Sequence, residues 1–178
     1  MESKILFSGT TGAGKTTAIG AVSEIPPIST DVRNTDAEIS KAMTTAGMDY
    51  GELTLDGGDK LRLYGTPGQE RFSFMWTILS KGALGLILLI DNSRPDPLAD
   101  LDLYLKGFAK LVRDTACVIG VGRMPQHPSP ALDDFAQRLA SHGLMCPVIE
   151  VDVREREQVV QMLELLLLQL EAKMEMRV

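Results

Sequence analysis

A chain of 178 residues, 44% apolar and 24% charged, has the size and balance of one globular domain whose core needs no disulfide staples. Its net charge of −6 excludes a nucleic-acid wrapper and a polybasic anchor for membrane surfaces. Aromatics make up 5%, too few for a base-stacking surface.

In chain order, residues 4–8 (KILFS) read as a buried strand. GTTGAGKTTA, residues 9–18, follows. Two glycines flank four residues, and Lys15 and Thr16 come next, the pattern GxxxxGK[ST]. A helix is predicted from about residue 15 to 24. Residues 25–47 are polar, with two prolines and weak periodicity. A connection this long inside a compact domain is as a rule a functional one. Two alternating runs, 48–55 and 60–65, are joined by DGGD, which predicts a hairpin. TPGQERFSFMW, residues 66–76, is a second glycine-bearing loop that runs into a helix ending near Lys81.

Residues 83–91 are apolar on both faces, as in a parallel strand covered by helices on both sides. A helix over 97–113 and a strand over 116–122 follow. The next loop holds three prolines, and Pro130 suits the first position of a helix ending near His142. PVIEV, 147–151, reads as the last strand, and 154–176 as an amphipathic helix. On that helix Val159, Met162, Leu163, Leu166 and Leu170 recur at helical spacing and should face the sheet. Leu165, Leu167 and Leu168 widen the stripe beyond one face, so the helix is either simply buried or also a surface for a partner or a second copy.

Cys117 and Cys146 form no disulfide framework and no metal spacing. Both lie in apolar runs, the place for buried free thiols in a reducing compartment. The opening Met-Glu-Ser shows no signal peptide or myristoylation site, and the closing EMRV no prenylation box. The longest apolar run, GALGLILLI, is too short to cross a bilayer. The expectation is a cytoplasmic protein with no lipid anchor of its own and no nucleic-acid partner.

Strands alternating with helices predict a single α/β domain over residues 1–178, a doubly wound sheet that is mostly parallel. Six strands are expected, with one antiparallel edge strand made by the hairpin. Such a sheet binds its ligand at the carboxyl ends of its strands, where the glycine loop lies. Glycines let the loop curl until successive N–H groups converge on an anion, and the helix N-terminus adds its dipole. The predicted phosphate-binding residues are Gly9, Thr10, Thr11, Gly12, Ala13, Gly14, Lys15, Thr16 and Thr17. Lys15 supplies a charge for β and γ phosphates, and Thr16 a hydroxyl for Mg²⁺.

GTPGQERF, residues 65–72, resembles the switch II motif of Ras-like small GTPases, usually DTxGQE. TAGMDY, residues 45–50, resembles the end of their switch I, and KGALGLILLID the strand after switch II. The resemblance covers nearly the whole chain in element order. It fits best a group of bacterial and archaeal Ras-like GTPases often encoded beside roadblock-type partners. It implies a P-loop fold, GTP and GDP as ligands, Mg²⁺ as cofactor, and a regulatory protein partner. It further implies that Thr45 closes on Mg²⁺ and the γ-phosphate, that Gly68 gives the γ-phosphate an N–H, and that Gln69 orients the attacking water beside Lys15. Arg33 and Arg71 are candidates for a catalytic arginine in cis, or ordinary surface arginines. Met75 and Trp76 fill the core or face a partner.

Two positions depart from the family pattern. Gly65 stands where the motif has an aspartate that holds Mg²⁺ through water. Asp91, at the end of the next long strand, is the first candidate to compensate, and Asp49 the second; alternatively Asp91 only begins a turn with Asn92 and Ser93. The guanine-reading NKxD motif is VGRMPQ here, so Arg123 stands at the lysine position and Pro125 at the aspartate position. Arg123 can still stack on a purine, and Asp152, near the position of the last motif's serine, could meet the base edge. Asp133 and Asp134 lie further off and should cap or flank a helix. Three readings remain: a slow GTP-hydrolysing switch, a scaffold of the same fold with weak or no nucleotide binding, and an ATP-using P-loop enzyme.

Overall fold

The structure, a computed structural model, describes residues 1–28 and 48–177. Expectations for Thr45 and Arg33 therefore lie outside the described residues. The described strands form one six-stranded sheet, and their chain order explains where the ligand cleft lies. We number them β1 (Glu2–Gly9), β2 (Asp49–Thr54), β3 (Lys60–Gly65), β4 (Ala83–Asp91), β5 (Ala116–Gly122) and β6 (Val148–Glu150). Their order across the sheet is β2-β3-β1-β4-β5-β6. β1 pairs parallel with both β3 and β4, and only the β2–β3 hairpin among these pairs is antiparallel. The expected sheet is thus the observed one. The chain leaves β1 toward the β2–β3 side and later returns to lay down β4 on the other side. The carboxyl ends of β1 and β4 therefore flank the point where the winding reverses, which opens a crevice there.

The helices are α1 (Lys15–Val22), α2 (Ser73–Ser80), α3 (Pro97–Gly107), α4 (Ala109–Asp114), α5 (Leu132–Ser141) and α6 (Arg156–Glu175). A short 3₁₀ turn, Glu70–Phe72, leads into α2. β1 and β4 alternate between two cores, one on each face of the sheet. On one face Ile5, Phe7, Ile87 and Leu89 pack with α1 and α6. On the other, Leu6, Leu86, Leu88 and Ile90 pack with the remaining helices. This two-sided burial is why these strands are apolar without alternation. On α6, Val159, Met162, Leu163 and Leu166 are buried, as their spacing predicts. Leu165 and Leu170 pack partly against the same core, and Leu168 is exposed. Arg156, at the start of α6, donates to the carbonyls of Ala21 and Val22 at 3.1 Å each, satisfying the end of α1.

Local details differ from the sequence reading. The predicted helix over 97–113 is two helices. Asp96 caps the first, accepting from the Ala99 N–H at 3.0 Å, with Pro97 opening it. The break falls at Phe108 (φ −111°, ψ 21°), whose ring turns inward and stacks on Trp76 at 5.3 Å between centroids. Tyr104 lies against the same indole at 4.8 Å. Trp76 and Met75 are each 1% exposed, so both belong to the core and the partner-facing alternative for them is corrected. The exposed residue of that stretch is Phe74, at 56%. Pro130 does not open α5. Asp134 accepts from the Ala131 N–H at 2.8 Å and caps the helix there, which leaves Pro130 just outside it. The final helix starts at Arg156 rather than 154, and the last strand keeps only three paired residues. Cys117 is buried, Cys146 only partly, and both are free thiols. No described helix is long and apolar enough to cross a membrane.

Gly107 carries the tightest constraint in this aromatic cluster. A Cβ there would stand 2.5 Å from Trp76 Cε3, and the indole has no room to yield between Tyr104 and Phe108. Gly107→Ala is expected to cost about 1–3 kcal/mol in urea unfolding. A change within a few tenths of a kcal/mol would mean that the cluster repacks freely.

Candidate functional site

The carboxyl end of β1 turns into the glycine loop at Gly9, and the loop closes on itself before α1. The Ala13 N–H bonds the Thr10 carbonyl at 3.0 Å. Gly14 sits at φ 102°, a left-handed conformation natural to glycine. A Cβ at Gly14 would also lie 2.7 Å from Val153 Cγ2, so the loop rests against the segment after β6. The Lys15 side chain folds back over the loop. Its Nζ donates to the carbonyls of Gly9 at 2.6 Å and Thr10 at 2.8 Å. Lys15 is only 9% exposed. Burial pushes its pKa down to about 8, against a smaller opposing pull from Asp49.

The second glycine loop is brought directly onto the first. The Thr66 N–H bonds the Phe7 carbonyl at 2.9 Å, and its hydroxyl donates to Ser8 Oγ at 2.7 Å. Gly68 lies so close that a Cβ there would be 2.5 Å from the Thr11 nitrogen and 2.8 Å from Lys15 Nζ. Two core side chains hold this loop from behind. Trp76 Nε1 donates to the Pro67 carbonyl at 3.0 Å, and the Tyr104 hydroxyl donates to the Gly68 carbonyl at 2.6 Å. Gln69, next to Gly68, is exposed at the rim of the cleft. Arg71 is exposed as well, its guanidinium 4.7 Å from the centroid of the Phe72 ring.

One residue beyond Lys15, the Thr16 hydroxyl donates to Asp49 Oδ2 at 2.6 Å. The first candidate for the missing carboxylate, Asp91, is engaged elsewhere. It pairs with Arg123 Nη1 at 2.6 Å and accepts from the Ser93 N–H and hydroxyl at 3.0 and 2.6 Å. Burial pushes its carboxyl up, but the bonds from Ser93 and Arg123 outweigh that and hold it below the usual carboxylate range. Asp91 is therefore a turn former and an arginine anchor, a correction to its proposed metal role. The same Arg123, at φ 61°, also donates through Nη2 to the Gly12 carbonyl at 3.1 Å, tying the loop after β5 to the phosphate loop.

These segments line one cleft of about 1280 Å³, above the usual range for small-molecule sites. Thr11, Gly12, Lys15 and Thr16 line it together with Arg123, Pro125 and Asp152. Asp152 faces the cleft but is bound by its neighbour. Its carboxylate accepts from Arg154 Nε at 2.9 Å and Nη2 at 2.7 Å, and these bonds hold its pKa at about 2. Asp133 lies with Asp134 in the first turn of α5, as expected. Sequence reasoning missed the Tyr104 and Trp76 clamps and the Arg154 bond to Asp152.

The Lys15 geometry sets a pH dependence. A polyphosphate beside Lys15 holds its proton on, so binding takes up a proton once the free protein has lost it. Affinity for a nucleoside diphosphate should be fully present below about pH 8 and weaken above it, up to about tenfold per unit. Titration calorimetry across that range, on wild type and Lys15→Arg, whose guanidinium keeps its proton, checks this. An equal shift in both proteins would place the titration elsewhere.

No protein-family model matches the chain. Its similarity to individual proteins runs over most of its length. It is 26% identical to the Ras-related protein RabC of Dictyostelium discoideum over 178 residues, 96% of this chain and 85% of the relative. It is 26% identical to the Ras-related protein SEC4 of Saccharomyces cerevisiae over 160 residues, covering 88% of this chain and 69% of the relative. With the Ras-related protein Rab-1C of Dictyostelium discoideum it shares 30% identity over 157 residues, 85% of this chain and 72% of the relative. The sheet order, the two glycine loops at its switch point and this similarity agree: the chain belongs to the Ras-like small GTPase family.

Proposed function

We propose that the protein is a GTP/GDP switch that hydrolyses GTP slowly with Mg²⁺. The observation that carries this is the seating of Gly68 on the phosphate loop beside Lys15 Nζ, with Gln69 next in the chain at the rim. In such a site the protein supplies position and charge and forms no covalent bond to substrate. Lys15 and the loop N–H groups hold the β and γ phosphates. The Gly68 N–H stands beside the γ-phosphate position, and Gln69 orients the attacking water. Tyr104 and Trp76, bonded to the backbone on either side of that point, keep Gly68 in register.

The donor set suits a hard cation. Thr16 gives its hydroxyl proton to Asp49, so its oxygen remains an acceptor for Mg²⁺. Thr45 is the other protein ligand proposed. Mg²⁺ when bound neutralises charge on the β and γ oxygens. Gly9, Thr10, Ala13 and Thr17 complete the proposed phosphate contacts. Arg123 stacks on the base from its anchor on Asp91 and Gly12. The proposed place of action is the cytoplasm, with a regulatory protein partner of the roadblock type or another activator. Such a partner speeds hydrolysis by about 10³–10⁵ where it supplies or orders an arginine.

One observation favours the second reading, a scaffold with weak nucleotide binding. Pro125 stands where the base-reading carboxylate belongs, and Asp152 spends its oxygens on Arg154. Losing a charge-assisted pair to the base costs about 1.5–3 kcal/mol, roughly ten- to a hundredfold in affinity. The intact phosphate end keeps the switch reading ahead.

Single-turnover hydrolysis separates the two. Wild type should turn GTP over on the order of 10⁻⁴–10⁻² per second, and Gln69→Leu should lower that by about 10–100-fold. No hydrolysis by wild type above buffer contradicts the proposal. An equal rate in the Gln69→Leu variant removes Gln69 from it.

A further inference from the structure

The strand register shows where the metal-facing carboxylate has gone. In the β2–β3 hairpin, Asp49 is the direct cross-strand partner of Gly65, the position where the family motif carries its aspartate. The two positions compete for one space. A Cβ on Gly65 would lie 3.1 Å from Asp49 Cβ and 3.1 Å from Asp49 Oδ2. The Asp49 carboxylate therefore already occupies the volume that a side chain at 65 would enter. It is only 9% exposed, and among the described residues it makes no ion pair within 4.0 Å. A buried carboxylate is costly unless cations balance it, and the Lys15 ammonium lies within its electrostatic reach without pairing to it directly. Its one described hydrogen bond comes from the hydroxyl of Thr16, on the first turn of α1.

We propose that Asp49 takes over the metal-facing role of the absent switch II aspartate from the opposite strand of the hairpin. Its Oδ2 accepts the Thr16 hydroxyl proton, which leaves the lone pairs of the Thr16 oxygen for Mg²⁺. Its remaining acceptor capacity faces the water shell of the ion. Mg²⁺ commonly keeps several waters and uses one or two carboxylates with substrate phosphates. Outer partners of this kind orient a ligand and tune its affinity.

The relocation changes what the ion reports on. In the motif's usual form the carboxylate belongs to the switch II strand. Here it belongs to the first residue of β2, four residues after Thr45 in sequence. Loss of the ion is thereby felt at the amino end of β2, while the Gly68 loop keeps its bonds to Tyr104 and Trp76.

This proposal rests on the nucleotide-switch reading, and one experiment separates the two. Release of a fluorescent GDP analogue is followed while Mg²⁺ is titrated from an EDTA-treated state. Wild type should release faster without the ion. Asp49→Asn should raise the Mg²⁺ concentration for half-maximal slowing by about 10–100-fold, each protein being read against its own release rate in EDTA. The paired exchange Asp49→Gly with Gly65→Asp should move the half-point back toward wild type, a rescue that a merely structural role would not give. Thermal melting of each variant confirms folding, and Asp49→Asn decides if the paired exchange does not fold. A wild-type half-point in Asp49→Asn overturns the proposal, as does a selective loss of Mg²⁺ response in Asp91→Asn instead. Wild-type release indifferent to EDTA, or no binding at all, overturns the switch reading and this proposal with it.

Discussion

The ammonium of Lys15 bonded to the carbonyls of Gly9 and Thr10 is the contact around which the rest of the site is arranged. It requires the chain to leave β1 sharply at Gly9 and to re-enter a helix at Lys15. That in turn requires β1 to lie inside the sheet with its carboxyl end at the winding reversal. A buried ammonium is costly, and its depressed pKa records that cost. Two carbonyls and a nearby carboxylate hold the charge in place. Asp49, Gly68 and Arg123 all approach this one loop, each from a different strand end.

The two sides of the site are held differently. The phosphate side is fixed by backbone and core. Gly68 hangs from Tyr104, Pro67 from Trp76, and both aromatic side chains belong to a stack that includes Phe108. The Gly68 loop is thus braced by the hydrophobic core of one sheet face. The base side depends on side-chain ion pairs. Arg123 is fixed by Asp91 and Gly12, and Arg154 by Asp152. The Arg123 pair is anchored on a buried carboxylate, whereas the exposed Arg154–Asp152 pair is worth little in stability and rearranges at small cost.

Much of this was legible in the residues. Six strands, the hairpin and the glycine loop follow from periodicity and turn chemistry. The Asp49–Gly65 pairing was within reach, because the DGGD turn sets the hairpin register that the structure shows. The position of Asp91 at a strand end does not reveal the partners that hold it. Ser93 and Arg123, two and thirty-two residues on, occupy that carboxylate. The Tyr104 clamp could not be read, since it joins groups 36 residues apart through the packing of a helix on the sheet. The helix break at Phe108 was hidden for the same reason. The apolar period continues across it, and only the Trp76 ring shows why the chain must turn there.

The central claim is that this cleft holds a guanine nucleotide by its phosphates. The most direct measurement is equilibrium binding of GDP and ADP, each in Mg²⁺, to protein stripped of nucleotide, with Lys15→Ala beside wild type. The account predicts that GDP binds at least as tightly as ADP and that the lysine substitution removes both. Tighter binding of ADP, or binding that survives Lys15→Ala, would contradict it.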